Sequence, residues 1–254
     1  NTHVDEYNNL IGTIPGTDPD AKPIVVGSHI DTVPTGGKYD GVLGVLGGME
    51  AAKRLKGTTK HPIQVVAFYD EEDSMSGSIG FSQSKSVYDI KAFLELHVEQ
   101  GPVLDKRGAD IGVVEGIVGQ RRCKFVITGQ ANHAGTTPMD MRDDALVKAS
   151  ELVSYVYHRA SIYDGLVATV GKLDVSPNLF SIIPGRVDLT LQIRDLDTSN
   201  IIRFASDVAS KFDLIYETDY ESTPALCDRK IMDMISDSVG DLSYIEMPSR
   251  ASHD

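Results

Sequence analysis

Apolar residues in the first half of the chain come in short runs, and three of these runs end alike. Residues 23–28 (Pro-Ile-Val-Val-Gly-Ser) lead into His29 and Asp31, residues 65–69 into Asp70, Glu71 and Glu72, and residues 93–96 into His97. Between the first two, Val42, Val45, Leu46, Met49 and Ala52 recur at helical spacing and predict an amphipathic helix to about Leu55. Short β-branched runs separated by helical stretches predict buried parallel strands at about 24–29, 64–69 and 92–97, with another at 111–114.

The pattern changes after residue 118. Residues 123–128, 166–173, 186–194 and 213–220 read as half-buried strands, while Ala145, Ala149, Leu152, Val153 and Val156 form a helical stripe. A second stripe, Ile201, Ala205, Val208, Ala209 and Phe212, follows the capping residues Asp197, Thr198 and Ser199. The order β-α-β-β-α-β predicts a two-layer sandwich. The expected fold is α/β: a mixed, mostly parallel sheet in a catalytic domain of residues 1–118 plus 227–254, with a βαββαβ α+β domain inserted at 119–226.

Composition narrows the function. With 254 residues there is room for one large domain or two modest ones, and a net charge of −13 argues against nucleic acid or an anionic membrane as partner. No run approaches the ~20 apolar residues of a membrane span. A secretory leader is not visible either, which carries little weight because the chain starts at Asn1 and is expected to have lost its natural beginning. Cys123 and Cys227 lack metal spacing and are expected to be buried free thiols in a reducing cytoplasm.

Ligands of open α/β sheets bind beyond the carboxyl ends of the strands, so the three run ends should converge. Histidines and carboxylates together there are the donor set of a hydrolytic zinc-type centre. His29 and Asp31, two apart on an extended segment, point to one side, which suits Asp31 as the carboxylate that orients a metal-bound His29 ring. Asp40, after the glycines at 36 and 37, is placed to bridge two cations. Glu71 and Glu72 are adjacent and face different ways, so one can bind metal while the other handles the attacking water.

Seven segments resemble the di-zinc aminoacylase and carboxypeptidase superfamily, and within it the N-carbamoyl-L-amino acid hydrolase group, with its allantoate amidohydrolases and β-ureidopropionases. They are GSHIDTVPTGGKYDGVLGVLGGMEA (27–51), FYDEE (68–72), ELHVEQGPVL (95–104), GIVGQRR (116–122), ANHAGTTPMDMRDDAL (131–146), IPGRVDLTLQIRD (183–195) and MPSRASHD (247–254). ELHVEQGP is the specific one, since peptidase-like relatives usually carry a carboxylate at the place of His97.

The resemblance implies two divalent cations, zinc first, with manganese, cobalt or nickel also suited. His29 and His97 would hold one, Asp40 would bridge, and Glu72 would bind the other. It implies Glu71 as general base and acid, Gln100 near the ureido group of a small-molecule substrate, and Arg194 at its carboxylate. His133 would stabilise the oxyanion from the partner subunit of a homodimer formed through the inserted domain. The family asparagine of the NxIPG segment is replaced by Ser181, so a substrate-binding amide is either shortened to a hydroxyl or supplied by Asn178 through a local shift. Arg250 and Ser252 stand where glycines are usual around His253, a residue expected to line the site. A further histidine ligand is expected downstream of Asp254. The activity implied is hydrolysis of a ureido C–N bond. Its rivals are allantoate hydrolysis, a di-metal aminoacylase or peptidase, and a catalytically incomplete binding or dimerisation module.

Overall fold

The computed structural model describes residues 1–84 and 89–253; Asp254, the end of the motif at 247–254, lies outside them. The chain divides into two compact units, residues 1–103 with His253, and residues 104–252.

The first unit runs β1 (Thr2–Val4), β2 (Leu10–Ile14), β3 (Ile24–His29), α1 (Val42–Leu55), β4 (Ile63–Phe68), α2 (Ser76–Gln83) and β5 (Ala92–Leu94). Its five strands lie in the order β1-β2-β4-β3-β5. The ladders β3/β4 and β3/β5 are parallel, but β1/β2 and β2/β4 are antiparallel, so this sheet is mixed and not mostly parallel. The cause is the hairpin of residues 2–14, which adds two antiparallel strands to the parallel core. Ile11, Val25, Val66, Phe68 and Phe81 form that core, with Ile90 and Phe93 packed against it. Helix α1 buries Gly44, Val45, Gly48 and Ala52. A side chain at Gly44 would stand 2.4 Å from the Leu96 carbonyl oxygen, so the helix docks on its glycine face close to the strand ends.

The third predicted strand is shorter than expected, β5 ending at Leu94 and not at His97. Pairing with β3 stops at Val26/Leu94, which frees residues 95–97 from the ladder and turns their side chains to chemistry.

After α3 (Val103–Arg107), the second unit contains β6 (Ile111–Ile117), β7 (Gly119–Thr128), β8 (Asn132–His133), α4 (Ala145–Ala160), β9 (Val167–Ser176), β10 (Ile182–Ile183), β11 (Arg186–Asp195), α5 (Thr198–Phe212), β12 (Tyr216–Ser222), β13 (Ala225–Leu226), α6 (Arg229–Ser238) and β14 (Tyr244–Ser249). Strands β12-β7-β11-β9 make a wholly antiparallel sheet, and β8 pairs with β10. Strand β6 lies between β13, antiparallel, and β14, parallel. Alternation decides which sheet face is covered: Cys123, Phe125 and Ile127 of β7 and Val187, Leu189, Leu191 and Ile193 of β11 pack with Leu152, Val156, Phe204 and Val208 of the two helices. Asp144 and Asp197 cap α4 and α5 by accepting main-chain N–H bonds. Cys123 is buried as expected, but Cys227 is exposed, because β13 ends one residue earlier and carries the chain outward. Among the described residues no helix is long and apolar enough to cross a membrane.

Candidate functional site

His29 closes β3 and is almost wholly buried. Its Nδ1 lies 3.0 Å from the main-chain carbonyl of Asp31. His97 Nδ1 likewise lies 2.9 Å from the Val98 carbonyl. A carbonyl only accepts, so both Nδ1 atoms carry a proton, and in the neutral rings both Nε2 atoms keep a lone pair. Those two Nε2 atoms face each other at 3.5 Å.

Asp40 joins them. Its Oδ1 sits 3.3 Å from His97 Nε2 and 3.9 Å from His29 Nε2, buried and with no hydrogen-bond donor among the described residues. Two lone pairs and a carboxylate oxygen converging without a proton between them are mutually repulsive, and one cation resolves all three at once. The donor set therefore fits a divalent metal. Gly41, at φ +63°, makes the turn that delivers Asp40, and a Cβ there would fall 2.5 Å from the His29 ring. Only glycine combines that backbone conformation with that approach.

The second run end adds carboxylates. Asp70 takes a left-handed conformation (φ +61°), turning the chain at once after β4. Glu71 is nearly buried, with Oε2 3.7 Å from His29 Nε2. Glu72 Oε1 accepts from the Val33 N–H at 3.4 Å. Three groups gather potential ligand atoms within 4.8 Å of one another: His29, Asp40 and His97; His29, Glu71 and Glu72; and Glu95, His97 and His253. No lysine or arginine among the described residues pairs with Asp31, Asp40 or Glu72.

Asp31 orients His29 through its main-chain carbonyl and not chiefly through its carboxylate, whose Oδ1 stands 3.7 Å from Nδ1. The carboxylate instead accepts from the N–H groups of Glu71 at 3.4 Å and Glu72 at 3.1 Å, tying two strand ends together. Gln100 is exposed, in a left-handed conformation, and its amide donates to Asp40 Oδ2 at 2.9 Å. His253 packs edge-on against the His97 ring, centroids 4.6 Å apart. Burial, then the neighbouring His97 and His29, pushes its pKa down to about 4.

The remaining candidates lie in the second unit. His133 is exposed at the end of β8, and its Nδ1 accepts the Gly135 N–H at 3.0 Å, which leaves the Nε2–H as its donor. Arg142 holds the following loop by donating to the carbonyls of Ala134 and Thr137. Ser181 meets this loop through its carbonyl, which accepts from Ala134 N at 2.8 Å. Asn178 is exposed with φ +54°. Arg194, half-buried on β11, donates to the Arg250 carbonyl and, at 3.2 Å, to Gln192 Oε1. Burial lowers its pKa from the usual guanidinium value.

Ser28 and Glu95 were not among the residues singled out from the sequence. The wholly buried Ser28 hydroxyl donates to Glu95 Oε1 at 2.7 Å, linking β3 to the segment after β5 just where backbone pairing has stopped. The signal was available, since Glu95 stands two residues before His97 and shares its side of an extended chain.

The chain resembles known proteins along nearly its whole length. An N-carbamoyl-L-amino acid amidohydrolase of Geobacillus stearothermophilus is 34% identical, over 98% of this chain and 74% of that protein. An allantoate amidohydrolase of Bacillus subtilis is 36% identical, over 82% and 61% respectively. Among solved structures, a hydantoinase/carbamoylase family amidase from Burkholderia multivorans superposes with a TM-score of 0.86 at 29% identity, covering all of this chain and 74% of that one. Residues 25–254 match peptidase family M20/M25/M40, and the protein whose strand ends gather His29, Asp40, Glu71, Glu72 and His97 belongs to that family of hydrolases.

Proposed function

We propose that this protein is a metal-dependent amidohydrolase that cleaves the ureido C–N bond of an N-carbamoyl amino acid, releasing the amino acid, ammonia and carbon dioxide. The observation that carries the reading is the pair of facing Nε2 atoms, 3.5 Å apart, beside an undonated buried oxygen of Asp40. His29, His97, Asp40 and Glu72 would hold two divalent cations, zinc first. Bound there, the cations would polarise the carbonyl and lower the pKa of water.

The chain's own groups supply the rest. Glu71 accepts the proton of the attacking water on its carboxylate and returns it to the leaving nitrogen, as base and then acid. The Asp31 carboxylate fixes Glu71 and Glu72 through their main-chain N–H groups. Gln100 orients Asp40, and its amide also suits the ureido group. His133, with Nδ1 occupied, offers Nε2–H to the developing oxyanion. Arg194 takes the substrate carboxylate in its planar fork. Asn178, Ser181 and His253 complete the substrate contacts.

We infer a homodimer formed through residues 119–226, an inserted domain whose four-stranded sheet is closed within 119–222. Support comes from the exposed apolar Met139, Met141, Leu179 and Phe180, carried on the segments that flank His133 and Ser181. A cytoplasmic location accords with the two free thiols.

The test is a substrate panel on metal-reconstituted protein: N-carbamoyl-L-amino acids, allantoate, N-carbamoyl-β-alanine, N-acetyl amino acids and dipeptides. Ureide hydrolysis with ammonia release is expected, and Glu71→Gln should keep metal while losing on the order of 10²–10⁴ in turnover. Turnover of acetyl amino acids or dipeptides alone would move the chemistry to an aminoacylase or peptidase. Protein that takes up no metal and turns over none of these substrates would leave a binding module. Mixing His133→Ala with Glu71→Gln subunits should restore part of the activity; no recovery counts against a shared site.

A further inference from the structure

Arginines in this acidic chain usually find a carboxylate: Arg54, Arg121, Arg122, Arg159, Arg186 and Arg229 each pair with one. Among the described residues Arg194 and Arg250 form no such pair, nor do Arg107, Arg142 and Arg203, but only in the first two does one arginine bond the main chain of the other. Among the described residues Arg194 donates to neutral oxygens, the Arg250 carbonyl and the Gln192 amide, and Gln192 in turn donates to Gln120, which donates to Ser252. Arg250 donates Nη2 to the Gly165 carbonyl at 3.1 Å, and its Nε is buried without an acceptor among the described residues. Arg250, which follows β14, reaches the end of the antiparallel sheet that carries Arg194. Arg194 is paired across the ladder with Val167, and Gly165 precedes Val167 by two residues. Among the described residues the acceptors that meet these two guanidiniums are therefore neutral.

A guanidinium removed from water is stabilised most by a planar anion taken in two parallel hydrogen bonds. One carboxylate occupies one fork, and Arg250 leaves a second. We propose that Arg250 is a specificity-determining carboxylate receptor beside Arg194, and that the preferred substrates are N-carbamoyl amino acids with an acidic side chain. The inference rests on the reading that Arg194 takes the substrate's α-carboxylate. Arg194 keeps its own partner in any Arg250 variant, because the acceptor there is main chain.

The experiment compares kcat/KM for N-carbamoyl-L-aspartate and -glutamate with N-carbamoyl-L-alanine and -methionine. Wild type should favour the acidic pair, with a KM for them that rises with ionic strength. Arg250→Met should lower the acidic-to-neutral ratio about ten- to hundredfold, the worth of one charge-assisted pair. Arg250→Lys, which keeps charge but not the fork, should fall between. On the Glu71→Gln background, calorimetry should show weaker N-carbamoyl-L-aspartate binding with Arg250→Met. Wild-type preference for the neutral substrates, or a ratio untouched by Arg250→Met, overturns the proposal while leaving the amidohydrolase reading standing. Hydrolysis of no carbamoyl amino acid at all ends both.

Discussion

Removing Glu95 should loosen the geometry of His29 and His97 without touching either. The β3/β5 ladder ends at Val26/Leu94, and beyond it the Ser28–Glu95 bond of 2.7 Å is the cross-link nearest the two imidazoles. A hydrogen bond to a charged group contributes about 1.5–3 kcal/mol, and a buried donor left unsatisfied costs about 1–3 kcal/mol. Because Ser28 is wholly buried, Glu95→Ala forfeits the first and incurs part of the second, about 3 kcal/mol together. For a chain of this size that corresponds to a fall in Tm of about 6–12 °C. Glu95→Gln keeps an acceptor and should lose about 1 kcal/mol; Ser28→Ala removes the donor cleanly and should lose about as much. Urea unfolding of the two alanine variants and their double mutant should yield a coupling energy of about 1–2 kcal/mol. Metal affinity in Glu95→Ala should drop about 10–100-fold, as for other groups that position a ligand. Zero coupling together with unchanged metal affinity would refute the positioning role.

Gly41→Ala should fold less stably by about 1–3 kcal/mol from its left-handed conformation alone, and should lose metal binding by displacing the His29 ring, read by metal analysis of the purified protein. Normal metal content in that variant would contradict the approach described. Burial pushes the Cys123 thiol up to about 11, against an ordinary value of 9.0. The folded state thus holds the thiol proton where the unfolded chain has released it, and stability falls as pH rises from about 9 to 11. The loss between pH 8 and 10.5 should be about 2 kcal/mol relative to Cys123→Ala, measured by urea unfolding. Parallel pH profiles of the two proteins would count against it.

The ligand-rich strand ends were legible because two signals coincide there: a β-branched run that must be buried, and a histidine or acid at its carboxyl end. Helix spacing likewise marked α4 and α5, and Asp197 stands as the N-cap of α5. The hairpin β1/β2 was not legible, since β1 is exposed along its length and offers no alternation. Nor could periodicity locate the end of β5: Leu94 and Leu96 keep the apolar positions going on either side of Glu95, yet Glu95 leaves the ladder to meet a hydroxyl from a strand 67 residues earlier. The role of Asp31 was hidden for a related reason. Its carboxylate serves a loop 40 residues away, while its carbonyl does the work nearby.

The most direct test of the centre is anomalous diffraction from crystals of the zinc-reconstituted protein. Two cations are expected about 3.5–4 Å apart, one held by both His29 and His97 and the other reached by Glu72, with Asp40 bridging. Zinc bound at other residues, or failing to bind while the four side chains keep their positions, would contradict the assignment.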